Sequence, residues 1–177
     1  MNPEDRNDHN SEIEHGLEAF ALYGFEAQIR DDWRVEVNPK AKRKKGDVVF
    51  HTPLGNRLFV SWGPLEDASR RFKTLEEHRD WNVEQIKKSP NLKEFDVSDK
   101  REYLINGHRA LSAHVKASLK QGFGGRGTLV EDIWSVRFYC PNLSRYYVIY
   151  SQQRDAHEFK DFGQVFNSIV GGFRCHT

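Results

Sequence analysis

Ala110–Tyr139 reads ALSAHVKASLKQGFGGRGTLVEDIWSVRFY, and its middle holds a literal G-x-G-x-x-G at Gly122–Gly127. Taken as a dinucleotide fingerprint, that spacing would make the chain a doubly wound α/β protein. Taken as the loop of a hairpin, it makes the chain antiparallel. The fingerprint needs a strand before the glycines, a helix opening at the last of them, and an acidic residue about twenty positions on. Thr128–Tyr139 instead carries Ile133, Trp134, Val136, Phe138 and Tyr139, a β-branched and aromatic run that favours strand. Without a helix N-terminus there is no bundle of free N–H groups to hold phosphate. No Gly-Lys-Ser/Thr ending offers a P-loop either. GFGGRG is therefore read as a flexible hairpin loop, and no nucleotide cofactor is expected.

Working outward, Asn106-Gly107 joins Glu102–Ile105 to Ala110–Leu119, and Asn-Gly is the preferred centre of a type I′ hairpin because both residues tolerate positive φ. Pro141–Ser144 turns Leu129–Tyr139 into Tyr146–Tyr150, and Pro53–Asn56 joins Val48–His51 to Leu58–Trp62. Phe25–Ile29 and Trp33–Val37 alternate with period two, separated by Asp31-Asp32, so each reads as a strand with one buried face. Glu94–Val97 is a further strand. Gly16–Tyr23 is read as one or two helical turns leading into the body. Thr74 with Glu77 forms a capping box, and Leu75, Val83 and Ile86 share one arc of the helix that follows, which Ser89-Pro90-Asn91 stops. Asp155 with Glu158 opens a second helix whose stripe is Phe159, Phe162, Val165, Phe166 and Ile169. Gly171-Gly172 ends it before a possible last strand, Phe173–Cys175. The expectation is an α+β fold: a mainly antiparallel twisted sheet with flanking helices, in one domain over residues 16–177. Residues 1–15 are acidic and Asn-rich, the composition of a mobile tail.

Charge excludes some functions and leaves others. With 27 basic and 26 acidic residues the formal charge is +1, so no global field draws the chain to polyanions, though a local patch can. No apolar run approaches the roughly 18–20 residues of a membrane span, and the N-terminus is unlike a signal or transit peptide. Cys140 and Cys175 show no C-x-x-C spacing, so neither a disulfide framework nor a zinc site is expected. These features imply a soluble, cytoplasmic protein with two free thiols.

The placed residues FEAQIRDDW, VVFHTPLGNRLFVSW, TLEEH, YLINGHRA, RFYCPNLSRYYVIY and VFNSIVGGFRC follow one another over roughly residues 24–175. In that order they resemble the Mog1/PsbP-like group of small domains. The resemblance implies a sheet flanked by helices and used as a non-catalytic accessory module. Members include a small-GTPase-binding import factor and an extrinsic photosystem subunit, and no residue motif for either role is matched.

Candidate chemistry is sparse. His157-Glu158-x-x-Asp161 approaches H-E-x-x-H, where two side chains on one helix face bind a metal, but it reads first as an exposed helical turn. Cys175-His176 lies near a terminus without a partner pair at ligand spacing. Cys140 precedes a proline with no motif around it, and His108 and His114 read as sheet-surface residues. No metal site, cofactor or catalytic residue is assigned. The sharpest feature is KAKRKK, in which Lys40, Lys42, Arg43, Lys44 and Lys45 place five cations in six residues. A solvated loop, a protein or anionic-surface contact and nucleic-acid binding all remain open for it. The reading is a non-enzymatic adaptor acting by protein–protein binding. The alternative is a nucleic-acid-associated protein using Lys40–Lys45.

Overall fold

Ten strands and three helices make up the computed structural model, which describes residues 16–121, 127–154 and 162–176. The strands are β1 (Leu17–Leu22), β2 (Phe25–Arg30), β3 (Arg34–Val37), β4 (Gly46–His51), β5 (Arg57–Pro64), β6 (Leu92–Asp99), β7 (Glu102–Ile105), β8 (His108–Gln121), β9 (Gly127–Cys140) and β10 (Arg145–Arg154). The helices are α1 (Leu65–Arg71), α2 (Leu75–Lys87) and α3 (Phe162–Gly172). β3–β4–β5–β10–β9–β8–β6 form one antiparallel sheet, with β7 also paired to β8, while β1 and β2 form a separate hairpin.

Each long hairpin has a local cause. Lys120 pairs with Thr128 and Gln121 with Gly127, so the glycine-rich stretch is flanked by two antiparallel strands and Gly127 opens a strand rather than a helix. Its residues 122–126 lie outside the described residues. Asn106 (φ 53°) and Gly107 (φ 80°) sit in the left-handed region between paired Ile105 and His108, as a type I′ turn demands.

One sheet face packs on β1–β2 and α3. Its core joins Val48, Phe50, Leu58, Val60, Trp62, Val136, Phe138, Tyr147 and Ile149 to Phe25, Ile29, Phe166 and Phe173. At its centre the Phe25 ring lies 5.3 Å from Trp62 and 5.4 Å from Phe173, contacts that add to area burial. The opposite face carries α2, whose Val83 meets Ala113, Val115 and Ile133. Thr74 Oγ1 accepts from the Glu77 N–H at 3.1 Å, the first half of the expected capping box, while Glu77 Oε2 reaches one residue further back and accepts from the Lys73 N–H at 2.7 Å.

Three local readings change. Of Gly16–Tyr23, expected as helical turns, Leu17–Leu22 is strand, because Phe20 and Leu22 pack against the core with period two and Tyr23-Gly24 closes a second positive-φ turn onto β2. Phe173–Cys175 contributes a single bridge, Arg174 to Glu26, instead of a strand. α1 was not foreseen; it buries only Ala68, so it shows no apolar stripe. Residues 155–161, over which the last helix was expected to open, lie outside the described residues, and α3 is described from Phe162. The described residues form one α+β domain. No helix among them is long and apolar enough to cross a membrane.

Candidate functional site

The basic run is not a loosely tethered loop. Asn38 Oδ1 accepts from the Lys40 N–H at 2.9 Å, and the Ala41 N–H reaches Asn38 O at 2.8 Å, folding the chain back as it leaves β3. Lys42 and Lys45 then exchange backbone hydrogen bonds of 2.8 and 3.1 Å, placing Arg43-Lys44 at the tip of a tight turn. From below, the Trp62 indole N–H donates to Lys42 O at 3.0 Å and the Tyr23 hydroxyl donates to Ala41 O at 3.2 Å. Gly46 permits this closeness. A Cβ there would lie 2.6 Å from Ala41 Cβ and 2.7 Å from the Trp62 ring. The backbone is pinned, while the side chains of Lys40, Lys42, Arg43, Lys44 and Lys45 are all exposed. Among the described residues no carboxylate forms an ion pair with any of these five.

α1 lies beside this turn and supplies what the sequence reading lacked. Two clefts flank it. One, of ≈ 490 Å³, is bordered by Arg43, Lys44, Pro64, Glu66, Leu143 and Arg145. The other, of ≈ 310 Å³, is bordered by Lys45, Arg70, Arg71, Phe72, His78 and Tyr146. Arg71 stacks over Trp81 at 4.7 Å and Phe72 at 5.3 Å, so one wall combines cation and aromatic faces. Glu66 pairs with Arg70, and Asp67 is the other acid at the clefts. Arg145 is buried and donates to Tyr23 O at 2.7 Å, so it braces the floor and is not free to reach a ligand. The signal for α1 was present in PLEDASRR: a proline, then acids in the first turn and arginines in the last, which complement the helix dipole.

Because the loop is held by backbone bonds and Trp62, its cations contribute little to folding. Replacing Lys42, Arg43, Lys44 and Lys45 together by Ser is expected to change the unfolding free energy by about 0.5 kcal/mol or less, read by urea denaturation. A large loss would mean that these side chains hold the turn.

Two further clusters emerge. His114 is buried on β8, stacked on Trp134 at 3.7 Å, with its Nδ1 2.6 Å from Ser98 Oγ and its Nε2 bonded to Asp132. It is not the surface histidine expected from sequence. The order hydroxyl–imidazole–carboxylate resembles an activated nucleophile. Neither cleft beside α1 includes it, however, and it bridges three strands where β6 shifts register between Val97 and Asp99. Its evident role is to pin that edge.

The second cluster joins residues from three separate stretches. His108, Cys140, Cys175 and His176 each bring one ligand-type atom, and these atoms all lie within 4.8 Å of one another. His108 and Cys140 each lie two residues beyond the paired Ala110 and Phe138, which puts both on the core face of adjacent strands. Cys175 and His176 arrive from the far side after α3, steered by the Glu26–Arg174 bridge. Both cysteines are fully buried. Burial and the neighbouring Cys140 push the Cys175 thiol up, and burial, with His176 nearby, lowers the His108 imidazole. Spacing alone hid this group, since its three stretches are tens of residues apart. His157, Glu158 and Asp161 lie outside the described residues.

No protein-family model matches the chain, and no curated protein matches its sequence. Among solved structures, the Ran-binding protein Mog1p of Saccharomyces cerevisiae superposes with a TM-score of 0.58 at 12% identity, over 91% of this chain and 96% of that one. Cyanobacterial PsbP from Synechocystis gives 0.53 at 11% identity, over 89% and 91%. A Mog1 point mutant gives 0.52 at 13% identity, over 90% and 87%. The fold is therefore Mog1/PsbP-like, as the order of strands and helices implied.

Proposed function

We propose that this chain is a non-catalytic protein-binding module whose docking surface is the pinned basic turn together with α1. The observation that carries the reading is the anchoring of Lys42–Lys45. A turn fixed through Trp62 and Tyr23 presents four adjacent cations at a defined place, with two clefts and the Arg71–Trp81 stack beside it. Rigid presentation lowers the ordering cost of binding, and Arg and Trp are favoured at energetically dominant interface positions. The chemistry that fits is an acidic segment of a partner protein bearing an apolar side chain for a cleft. The name of the similarly folded Mog1p, a Ran-binding protein, supports protein binding as a use of this fold.

The test is affinity capture from the native host with the parent and with the K42S/R43S/K44S/K45S protein, alongside DNA and RNA binding at several salt concentrations. The expected result is a protein captured by the parent and lost by the variant, with negligible nucleic-acid affinity for both at physiological salt. Phosphate contacts would instead give the parent a steep salt dependence, and their loss in the variant would flatten that slope and weaken binding to all sequences alike. Tight, salt-sensitive binding of DNA or RNA by the parent, abolished in the variant, would replace this reading with the nucleic-acid one.

A further inference from the structure

We propose that His108, Cys140, Cys175 and His176 form a four-coordinate site for a zinc ion, which fastens the C-terminal segment to the end of the sheet. Zinc takes thiolate and imidazole ligands at the corners of a tetrahedron, with Zn–N about 2.0–2.1 Å and Zn–S about 2.3 Å, so its ligand atoms sit roughly 3.3–3.8 Å apart. The two Nε2 atoms of His108 and His176 are 3.1 Å apart, and all four ligand atoms fall within 4.8 Å. Drawing the widest pair to tetrahedral spacing takes about 1 Å, within reach of side-chain torsions.

Two thiolates with two imidazoles match zinc rather than magnesium or calcium, which take oxygen ligands. With all four corners filled by protein, the site has no open position for a reacting water, so its role is structural. The environment is built for it. Asn106 Nδ2 donates to His176 O at 3.1 Å, so the turn before β8 grips the last ligand residue through its backbone, while the Asn142 Nδ2 contact to His176 Nε2 at 3.3 Å gives way to the metal. Outer contacts of this kind orient metal ligands. Without a cation the arrangement is awkward: two buried thiols adjoin each other, and two imidazole nitrogens face at a distance allowing only one of them a proton. Binding resolves both. Each cysteine releases its proton to solvent, the thiolates and neutral imidazoles donate their lone pairs to Zn²⁺, and no electron is transferred.

The site is distinct from the basic turn, and its test is separate. Reduced full-length protein would be titrated with zinc chloride against a chromophoric chelator, and cobalt(II) would be added to report geometry. The expected result is one tightly held zinc per chain and a cobalt spectrum showing tetrahedral coordination with thiolate charge transfer. Chelation should lower the melting temperature by several degrees. Cys140→Ser and Cys175→Ser should lose stoichiometric binding, and so should His176→Ala, whose position near the chain end leaves the core intact. Octahedral cobalt, zinc uptake unchanged by His176→Ala, or reduced protein that takes no zinc yet forms a Cys140–Cys175 disulfide on oxidation would each overturn the proposal.

Discussion

Trp62→Ala is expected to destabilise the fold by about 3–5 kcal/mol, the range for truncating a large buried aromatic. Trp62 is 1% exposed and stands at a junction of the core and the basic turn. Its ring lies 5.3 Å from Phe25 and 5.9 Å from Tyr23, and its N–H holds the carbonyl of Lys42. Removing it empties a large volume that the rigid sheet cannot close, and frees the turn from beneath. Since single domains are stable by only about 5–15 kcal/mol, much of the total is at stake. Trp62→Phe separates the two effects. It keeps one aromatic ring in the core but deletes the donor to Lys42 and the ring atoms against Gly46, at a cost of about 1–2 kcal/mol. Urea denaturation reads the stability of both variants, and partner capture reads the second effect. Trp62→Phe should bind more weakly than its small stability loss explains, because the cations are no longer fixed. Parent-like capture by Trp62→Phe would mean that anchoring of the turn is irrelevant to binding. Parent-like stability of Trp62→Ala would mean that the junction is not a keystone.

The sheet was legible because its instructions are local. Asn106-Gly107 specifies its turn by backbone sterics, and period-two runs such as Phe25–Ile29 state their buried face directly. β1 was obscure for an opposite reason. In LEAFAL only Phe20 favours strand, set among helix-favouring Leu, Glu and Ala, and the segment becomes a strand through pairing with β2 and contact of Phe20 with Phe50 at 5.1 Å. α1 makes a similar point, since a helix that lies on the surface and buries one alanine leaves no periodicity to read.

The basic residues of the candidate site were visible, but their surroundings were not. Composition showed five cations; it could not show that Trp62, twenty residues on, ties them down or that Arg70 and Arg71 come alongside. The Cys and His cluster was hidden more deeply. Its geometry depends on the register of β8 against β9 and on where α3 releases the chain. Given the Ala110–Phe138 pair, counting two residues along each strand finds His108 beside Cys140. Cys175 and His176 join them only through tertiary packing.

Acidification should destabilise the protein through His78, with a loss of roughly 2 kcal/mol between about pH 6.5 and pH 4 after allowance for solvent screening. His78 lies on the inner side of α2, stacked on Phe72 at 4.4 Å, with Tyr139 Oη 3.3 Å from its Nδ1 and the Tyr146 ring nearly perpendicular to it, centroids 5.7 Å apart. Burial, with the Arg137 and Arg71 guanidinium groups nearby, lowers its pKa from 6.5 to about 4. Tyr139 and Tyr146 are themselves pushed up by burial, so both stay neutral and offer no compensating negative charge. The direction follows from where the proton binds. Below about pH 6.5 the unfolded chain takes up a proton that the folded protein refuses, so stability rises with pH across this window and is lost as pH falls. Glu76 and Asp80, held below the usual carboxylate range by Arg109 and Arg79, also lose stabilisation in acid. They remain in a His78→Gln variant, which cannot titrate at position 78. Comparing urea unfolding of parent and variant from pH 7 to pH 4 therefore isolates the imidazole. The parent should fall more steeply, and the gap should close the advantage it holds at pH 7. Parallel decline of the two proteins would show that His78 accepts its proton in the folded state, and that α2 does not bury its imidazole.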